Sequence, residues 1–435
     1  MTPHGIRFAR FCGASMNCMS NKIILHLDMN SYFASVEQQA NPFLRGKAVG
    51  VCAYLSPGGC VIASSREAKS KGIKTGCTAA EALKLDPAVV LVENEPAKYR
   101  STTEKIFKIL GQYTDRLEPY SIDEAFLDLT DQPSLKLQPG RRANWAKSIK
   151  QAEKIGLELA GRIKNEVGEW LSASVGISWT KFLAKFASDI GPKGGLFLIT
   201  PSNLEDCLKG RELIDAWGIG QGMAVRLAGF GVNNLLELKN SDKNKIRRVL
   251  GRYGYYLWAN VNGLEIGAVS SGARAPKSVG HSYCLPRKTA DLKYLTAVMY
   301  KLCEKTGRRL RGLDREAGSM NVGWSYAREG GYFRSFKTKE KMFTTAEIYR
   351  QAGGLLENHP PVLPVRMLAV SVGALAPVSA QMSLFENNLS VKELSRALDR
   401  INDKYGEYTV VKGAMFGLEN QAKDRIGFRK SVGIN

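Results

Sequence analysis

Residues 23–39 read I-I-L-H-L-D-M-N-S-Y-F-A-S-V-E-Q-Q, and the change of period inside them decides the fold. Ile23 to Leu27 is a short β-prone apolar run, the pattern of a buried strand, and it delivers Asp28 at its tip. From Ser31 to Gln39 the pattern turns helical, with Phe33, Val36 and Glu37 in the first turns. A second acidic stretch, Tyr120-Ser121-Ile122-Asp123-Glu124-Ala125-Phe126, lies between an amphipathic helix expected over 97–111 and a strand expected over 125–129.

If the two strands share a sheet, Asp28, Asp123 and Glu124 converge at its end. Three carboxylates in one place repel one another unless cations fill the gap. Two Mg²⁺ ions about 3.5–4 Å apart would fill it and would serve in-line phosphoryl transfer. Asp28 would bridge both ions, and the Met29 carbonyl would complete the second site. Taken singly, each acid is a solvated or capping side chain, since charged groups are mostly exposed.

Outward from these motifs, strands alternate with helices to about residue 200, a mixed α/β core. A strand over 48–53 leads to the turn Ser-Pro-Gly-Gly at 56–59, and a basic helix starts within 64–71. A Lys/Arg-rich helical stretch fills 135–170, a strand 174–178, and a basic helix 181–189. Residues 201–268 are short helices punctuated by glycine, 269–276 read as a linker, and an α+β pattern runs from Lys277 to about 376. A helix is expected near 391–404 in the polar tail.

The chain has 435 residues, 62 Lys and Arg against 41 Asp and Glu, and a formal net charge of +21. That excess favours a polyanionic partner, because neutralising phosphates releases condensed counterions. The eight cysteines form no C-x-x-C pair and only four histidines accompany them, which excludes a zinc or disulfide framework and points to a reducing cytoplasm. No apolar run reaches the roughly 18 residues of a membrane span. Residues 1–21 lack the apolar stretch of a signal peptide and read as an extension.

H-L-D-M-N-S-Y-F-A-S-V-E at 26–37 and P-Y-S-I-D-E-A-F-L-D-L-T at 119–130 together resemble the signature motifs of Y-family DNA polymerases, from Lys22 to at least the Q-M-S-L-F segment at 381–385. The resemblance implies a right-handed polymerase of α/β and α+β domains. These are a palm (22–31 and 95–200), small fingers (32–94), a helical thumb with a helix-hairpin-helix (201–268) and a little finger (277–380). A tail follows over 381–435. It implies low-fidelity, template-directed translesion synthesis without proofreading, in DNA repair, the SOS response and mutagenesis. By it Asp28, Asp123 and Glu124 are catalytic metal ligands with Met29, and Phe33 is the steric gate against a ribose 2′-hydroxyl.

Ser31, Tyr32 and Phe33 would line the nucleotide. A-S-S-R-E-A-K-S-K-G-I at 63–73 matches the fingers motif that grips the triphosphate, with Arg66 where many relatives carry Tyr and Lys69 where they carry Arg. Lysine binds phosphate as a point charge rather than a bidentate fork. V-G-I-S-W-T-K-F-L-A-K-F-A-S-D at 175–189 resembles the following palm strand and helix. In the continuation G-P-K-G-G, the resemblance puts Lys193 near the family's triphosphate lysine, here after Pro192 instead of before a proline. Gly218, Ile219 and Gly220 resemble a hairpin that meets DNA phosphates through backbone N–H groups. Lys277 and Ser278 open the little finger that grips the duplex.

Gln381, Leu384 and Phe385 read as Q-x-x-L-F, a sliding-clamp peptide with an apolar anchor pair. Asn30, G-C-V-I-A at 59–63, Lys69 and W-G-I-G lean towards the catalytic subunit of DNA polymerase V, whereas K-D-R-I-G-F at 423–428 is similar to polymerase IV relatives. The expected partners are primer-template DNA, a dNTP, the clamp and an accessory mutagenesis subunit. Two rivals stand: a non-catalytic DNA-binding scaffold derived from such a polymerase, and another palm-type enzyme such as a nucleotide cyclase.

Overall fold

The computed structural model describes residues 22–135, 142–272, 275–327, 330–378, 388–418 and 421–422. These residues form two compact units, 22–43 with 97–272 and 44–96 with 275–422.

The first unit is built on a five-stranded sheet in the order Leu117–Pro119, Glu124–Asp128, Ile24–Met29, Ala173–Ser178, Leu196–Leu198. The central Ile24–Met29 strand is antiparallel to both neighbours, and all but Asp28 of its residues are buried. Burial on both faces explains why the run is apolar without alternation. The helix Lys181–Ile190 crosses the sheet, started by the Thr180 hydroxyl, which accepts from Leu183 N at 3.2 Å. It lies unusually close to the Ala173–Ser178 strand: a Cβ on Gly176 would sit 2.1 Å from the Ala184 carbonyl oxygen and 2.3 Å from Ser188 N. Only glycine permits that approach.

The helix Tyr32–Ala40 packs within this first unit. Tyr99 donates to Glu37 at 2.7 Å, and the Trp170 indole donates to Gln38 at 3.0 Å. Glu37 and Gln38 are buried because they have these partners, and hydrophobic periodicity cannot announce buried polar groups. The first unit runs to Phe43 before the chain passes into the second. Helices Gln221–Ala228, Leu235–Asn240 and Lys243–Val261, in the stretch expected to form the thumb, enclose a core with Phe182 and Phe186 of the Lys181–Ile190 helix and with Trp179 just before it.

The second unit holds two sheets. One joins Val61–Ser64, Val49–Cys52 and Val90–Glu93. The other runs Gly331–Met342, Arg315–Tyr326, Val365–Pro377, Ser278–Thr289, all antiparallel, under helices Leu292–Gly312 and Thr345–Asn358. Within this unit the Tyr54 hydroxyl donates to the Cys284 carbonyl at 2.6 Å.

The C-terminal segment, read as a polar tail, contributes structure here. The helix Asn388–Tyr405 is held by a two-bond Arg311–Asp399 pair at 2.5 and 2.9 Å and by Arg308–Asp403 at 2.5 Å. Leu418 and Ala422 join the same core as Trp324 and Leu302. Among the described residues no helix is long and apolar enough to cross a membrane.

Candidate active site

Asp28, the penultimate residue of the central strand, lies directly opposite Glu124, and Met29 N donates to the Asp123 carbonyl at 2.9 Å. Asp28, Asp123 and Glu124 therefore come together at one end of the sheet. Burial, and then the negative charge of Asp123, push the Asp28 carboxyl up to about 7. Burial also raises Asp123, against a hydrogen bond donated by the Ser121 hydroxyl. Glu124 behaves differently. Burial would raise it, but hydrogen bonding from His26 and the charge of Lys185 prevail and hold it at about 2. Lys185 Nζ donates to Glu124 Oε2 at 2.7 Å, and His26 Nε2 approaches the same oxygen at 3.2 Å.

Asp28 and Asp123 suit a divalent cation, because a cation would relieve the cost of two half-buried like charges. Glu124 suits one through Oε1, since its other oxygen is taken. As they stand, no three His, Cys, Asp or Glu side chains among the described residues are gathered into a ready cation cage. The convergence expected from sequence is thus present in backbone register, while the third carboxylate is drawn towards Lys185. His26 and Lys185 were missed in the sequence. His26 lies two residues before Asp28 and so shares its face, which was a usable signal; Lys185 had none short of knowing which helix crosses the sheet.

Phe33 stacks on Tyr99, ring centroids 4.4 Å apart at 16°, a rigid shelf next to the acids in sequence. Ser31 caps the Tyr32–Ala40 helix in a left-handed conformation, φ 49°. Tyr32, expected at the nucleotide, is buried, and its hydroxyl donates to the Tyr99 carbonyl at 2.9 Å, so only its backbone is left for a ligand. Asn30 is fixed by Ser174, whose hydroxyl donates to its Oδ1 at 2.9 Å.

Lys193 is exposed in the turn after the Lys181–Ile190 helix, its amine 3.5 Å from the Asp189 carbonyl oxygen. In the other unit Arg66 and Lys69 are exposed on the short helix Arg66–Ser70, capped by Ser65. Lys277 and Ser278 are exposed where the strand Ser278–Thr289 begins.

Gly218 has φ +96°, and its carbonyl accepts from Tyr253 Oη at 2.6 Å; Gly220 is the N-cap of the Gln221–Ala228 helix. Ile219 is buried and anchors that turn. Gln381, Leu384 and Phe385, the segment 423–428 and the extension 1–21 lie outside the described residues.

An acidic sheet end, a stacked aromatic on the helix that follows it in sequence and a glycine turn before the Gln221–Ala228 helix are, as a class, the features of a palm-type polymerase. The impB/mucB/samB family model matches residues 27–189, and the model of that family's C-terminal domain matches 276–384. DNA polymerase IV 1 of Bacillus subtilis (strain 168) is 30% identical over 94% of this chain and 97% of its own. DNA polymerase IV of Pelotomaculum thermopropionicum is 30% identical over 94% of this chain and 98% of its own. A solved Y-family DNA polymerase chimera of Dbh and Dpo4 shares the fold, with a TM-score of 0.67 and 24% identity over 82% of this chain and 100% of that one. The chain belongs to the Y family of DNA polymerases.

Proposed function

We propose that this enzyme extends a primer 3′-end opposite damaged as well as intact template bases, on the polymerase IV branch of the family. The relatives that span nearly the whole chain support that branch over the polymerase V branch to which Asn30, Lys69 and W-G-I-G leaned. The observation that carries the reading is the half-buried Asp28–Asp123 pair at the end of the sheet, with Glu124 opposite Asp28. Asp28, Asp123, Glu124 and the Met29 carbonyl would hold two Mg²⁺ ions. Those ions supply activation of the 3′-hydroxyl and neutralisation of the departing pyrophosphate.

The remaining work falls to the chain itself. Ser121 orients Asp123, and the Phe33 ring, backed by Tyr99, crowds a ribose 2′-hydroxyl. Ser31, the Tyr32 backbone, Arg66, Lys69 and Lys193 hold the triphosphate. Gly218, Ile219 and Gly220 meet the DNA backbone in the thumb, and Lys277 and Ser278 meet it in the little finger. Gln381, Leu384 and Phe385 dock a sliding clamp, and an accessory mutagenesis subunit is a further partner. The enzyme works in the cytoplasm.

The test is extension of a labelled primer with Mg²⁺ and dNTPs on an intact template and on one with an abasic site. Extension past the abasic site is expected; extension that stops there on a template otherwise copied would contradict the translesion reading. DNA binding without any extension would revive the scaffold reading.

A further inference from the structure

We propose that Lys185 and His26 are positioning residues, which pin Glu124 by one oxygen so that the other is presented to a catalytic cation. The proposal rests on the reading of Glu124 as a metal ligand. Both donors converge on Oε2, Lys185 at 2.7 Å and His26 at 3.2 Å, and among the described residues nothing bonds Oε1. A carboxylate gripped in this way has lost its rotational freedom before any ion arrives. Hydrogen bonds from outside are the usual means of orienting a ligating carboxylate.

The donors are themselves held. His26 is fully buried in the central strand, its ring 4.5 Å from that of Phe126 and its Nδ1 2.7 Å from Ser188 Oγ. Lys185 rides on the helix that Gly176 admits to the sheet, and its ammonium lies 3.8 Å from Asp189. Ser188 and Lys185 share that helix, so one element sets the positions of both donors. An ion pair kept only for stability would gain nothing from leaving the second oxygen bare.

Lys185→Met tests this, beside Lys185→Arg and Glu124→Ala. Binding of Mn²⁺ alone is followed by electron paramagnetic resonance. Incorporation is measured against Mg²⁺ concentration on saturating primer-template DNA. For Lys185→Met, Mn²⁺ binding is expected to weaken and the half-saturating Mg²⁺ concentration to rise, each by about tenfold or more, the usual penalty for losing a partner of a metal ligand. Primer-template affinity and the circular-dichroism spectrum should stay as in wild type, and Lys185→Arg should restore most of the Mg²⁺ response.

Unchanged or tighter Mn²⁺ binding in Lys185→Met would overturn the proposal, marking the lysine as structural or as a competitor of the metal. If Lys185→Met fails to fold, Lys185→Ala, which likewise removes the donor, is read in the same way. The two layers fail separately: an active Glu124→Ala sinks the ligand reading, whereas an inactive Glu124→Ala beside a Lys185→Met with wild-type metal response sinks only the positioning role.

Discussion

Asp28 carries a charge that the metal-free protein resists. Its carboxyl is raised from 3.8 to about 7 by burial and by Asp123. The folded state therefore binds that proton more tightly than the unfolded chain, and the resulting stability is fully present below the unfolded value and lost as pH rises towards 7. In EDTA, Asp28→Asn should accordingly exceed wild type in unfolding free energy by about 1–4 kcal/mol at pH 8. The advantage should vanish near pH 4, and urea titrations at the two pH values check it; an equal gain at both would refute the buried-charge account. Phe33 is tested by chemistry rather than stability. Phe33→Ala, which removes the ring stacked at 4.4 Å on Tyr99, should raise ribonucleotide incorporation by at least about tenfold, since crowding at one contact is worth that much discrimination. At this scale the acids were legible because each sits inside a long motif, 26–37 and 119–130, and not because a lone carboxylate at a strand tip is informative. The burial of Glu37, Gln38 and Tyr32 was not legible, because it depends on Lys98 and Tyr99 for Glu37 and Tyr32 and on Trp170 for Gln38, which arrive from distant parts of the chain.

The decisive element is the Lys181–Ile190 helix, whose approach to the sheet depends on the missing side chain of Gly176. Gly176→Ala would push a methyl group into the Ala184 carbonyl. Overpacking of this kind costs about 1–3 kcal/mol, and the helix can relieve it only by lifting Lys185 away from Glu124. Thermal denaturation and the incorporation rate should therefore fall together in Gly176→Ala; lost stability with an unaltered rate would separate helix seating from the site. In the thumb, Tyr253→Phe deletes the bond to the Gly218 carbonyl and should weaken primer-template binding severalfold while the palm acids stay in place, as read by fluorescence anisotropy. The existence of these elements followed from the patterns over 23–27, 174–178 and 181–189. Their pairing did not, because a strand run does not name its neighbour. The C-terminal helix Asn388–Tyr405 was expected as an element, but its seat on Arg308 and Arg311 was invisible, since ion pairs between distant residues leave no local pattern.

For the whole molecule, a net charge of +21 makes the grip on DNA an ion-exchange reaction. Affinity for a primer-template should fall about 10³–10⁵-fold between 50 and 200 mM salt if 6–10 phosphates are neutralised, and a flat salt response would argue against that grip. The net charge and family motifs were readable directly, whereas the grouping of 44–96 with 275–422 was not, because compact units are defined by contacts far apart in sequence. The central claim, that the sheet-end acids catalyse nucleotide addition, is tested most directly by single-turnover incorporation of one dNTP by wild type and Asp123→Ala on the same bound primer-template. The account predicts rapid incorporation by wild type, and none above background by the variant at unchanged DNA affinity. Incorporation by Asp123→Ala at the wild-type rate would contradict it.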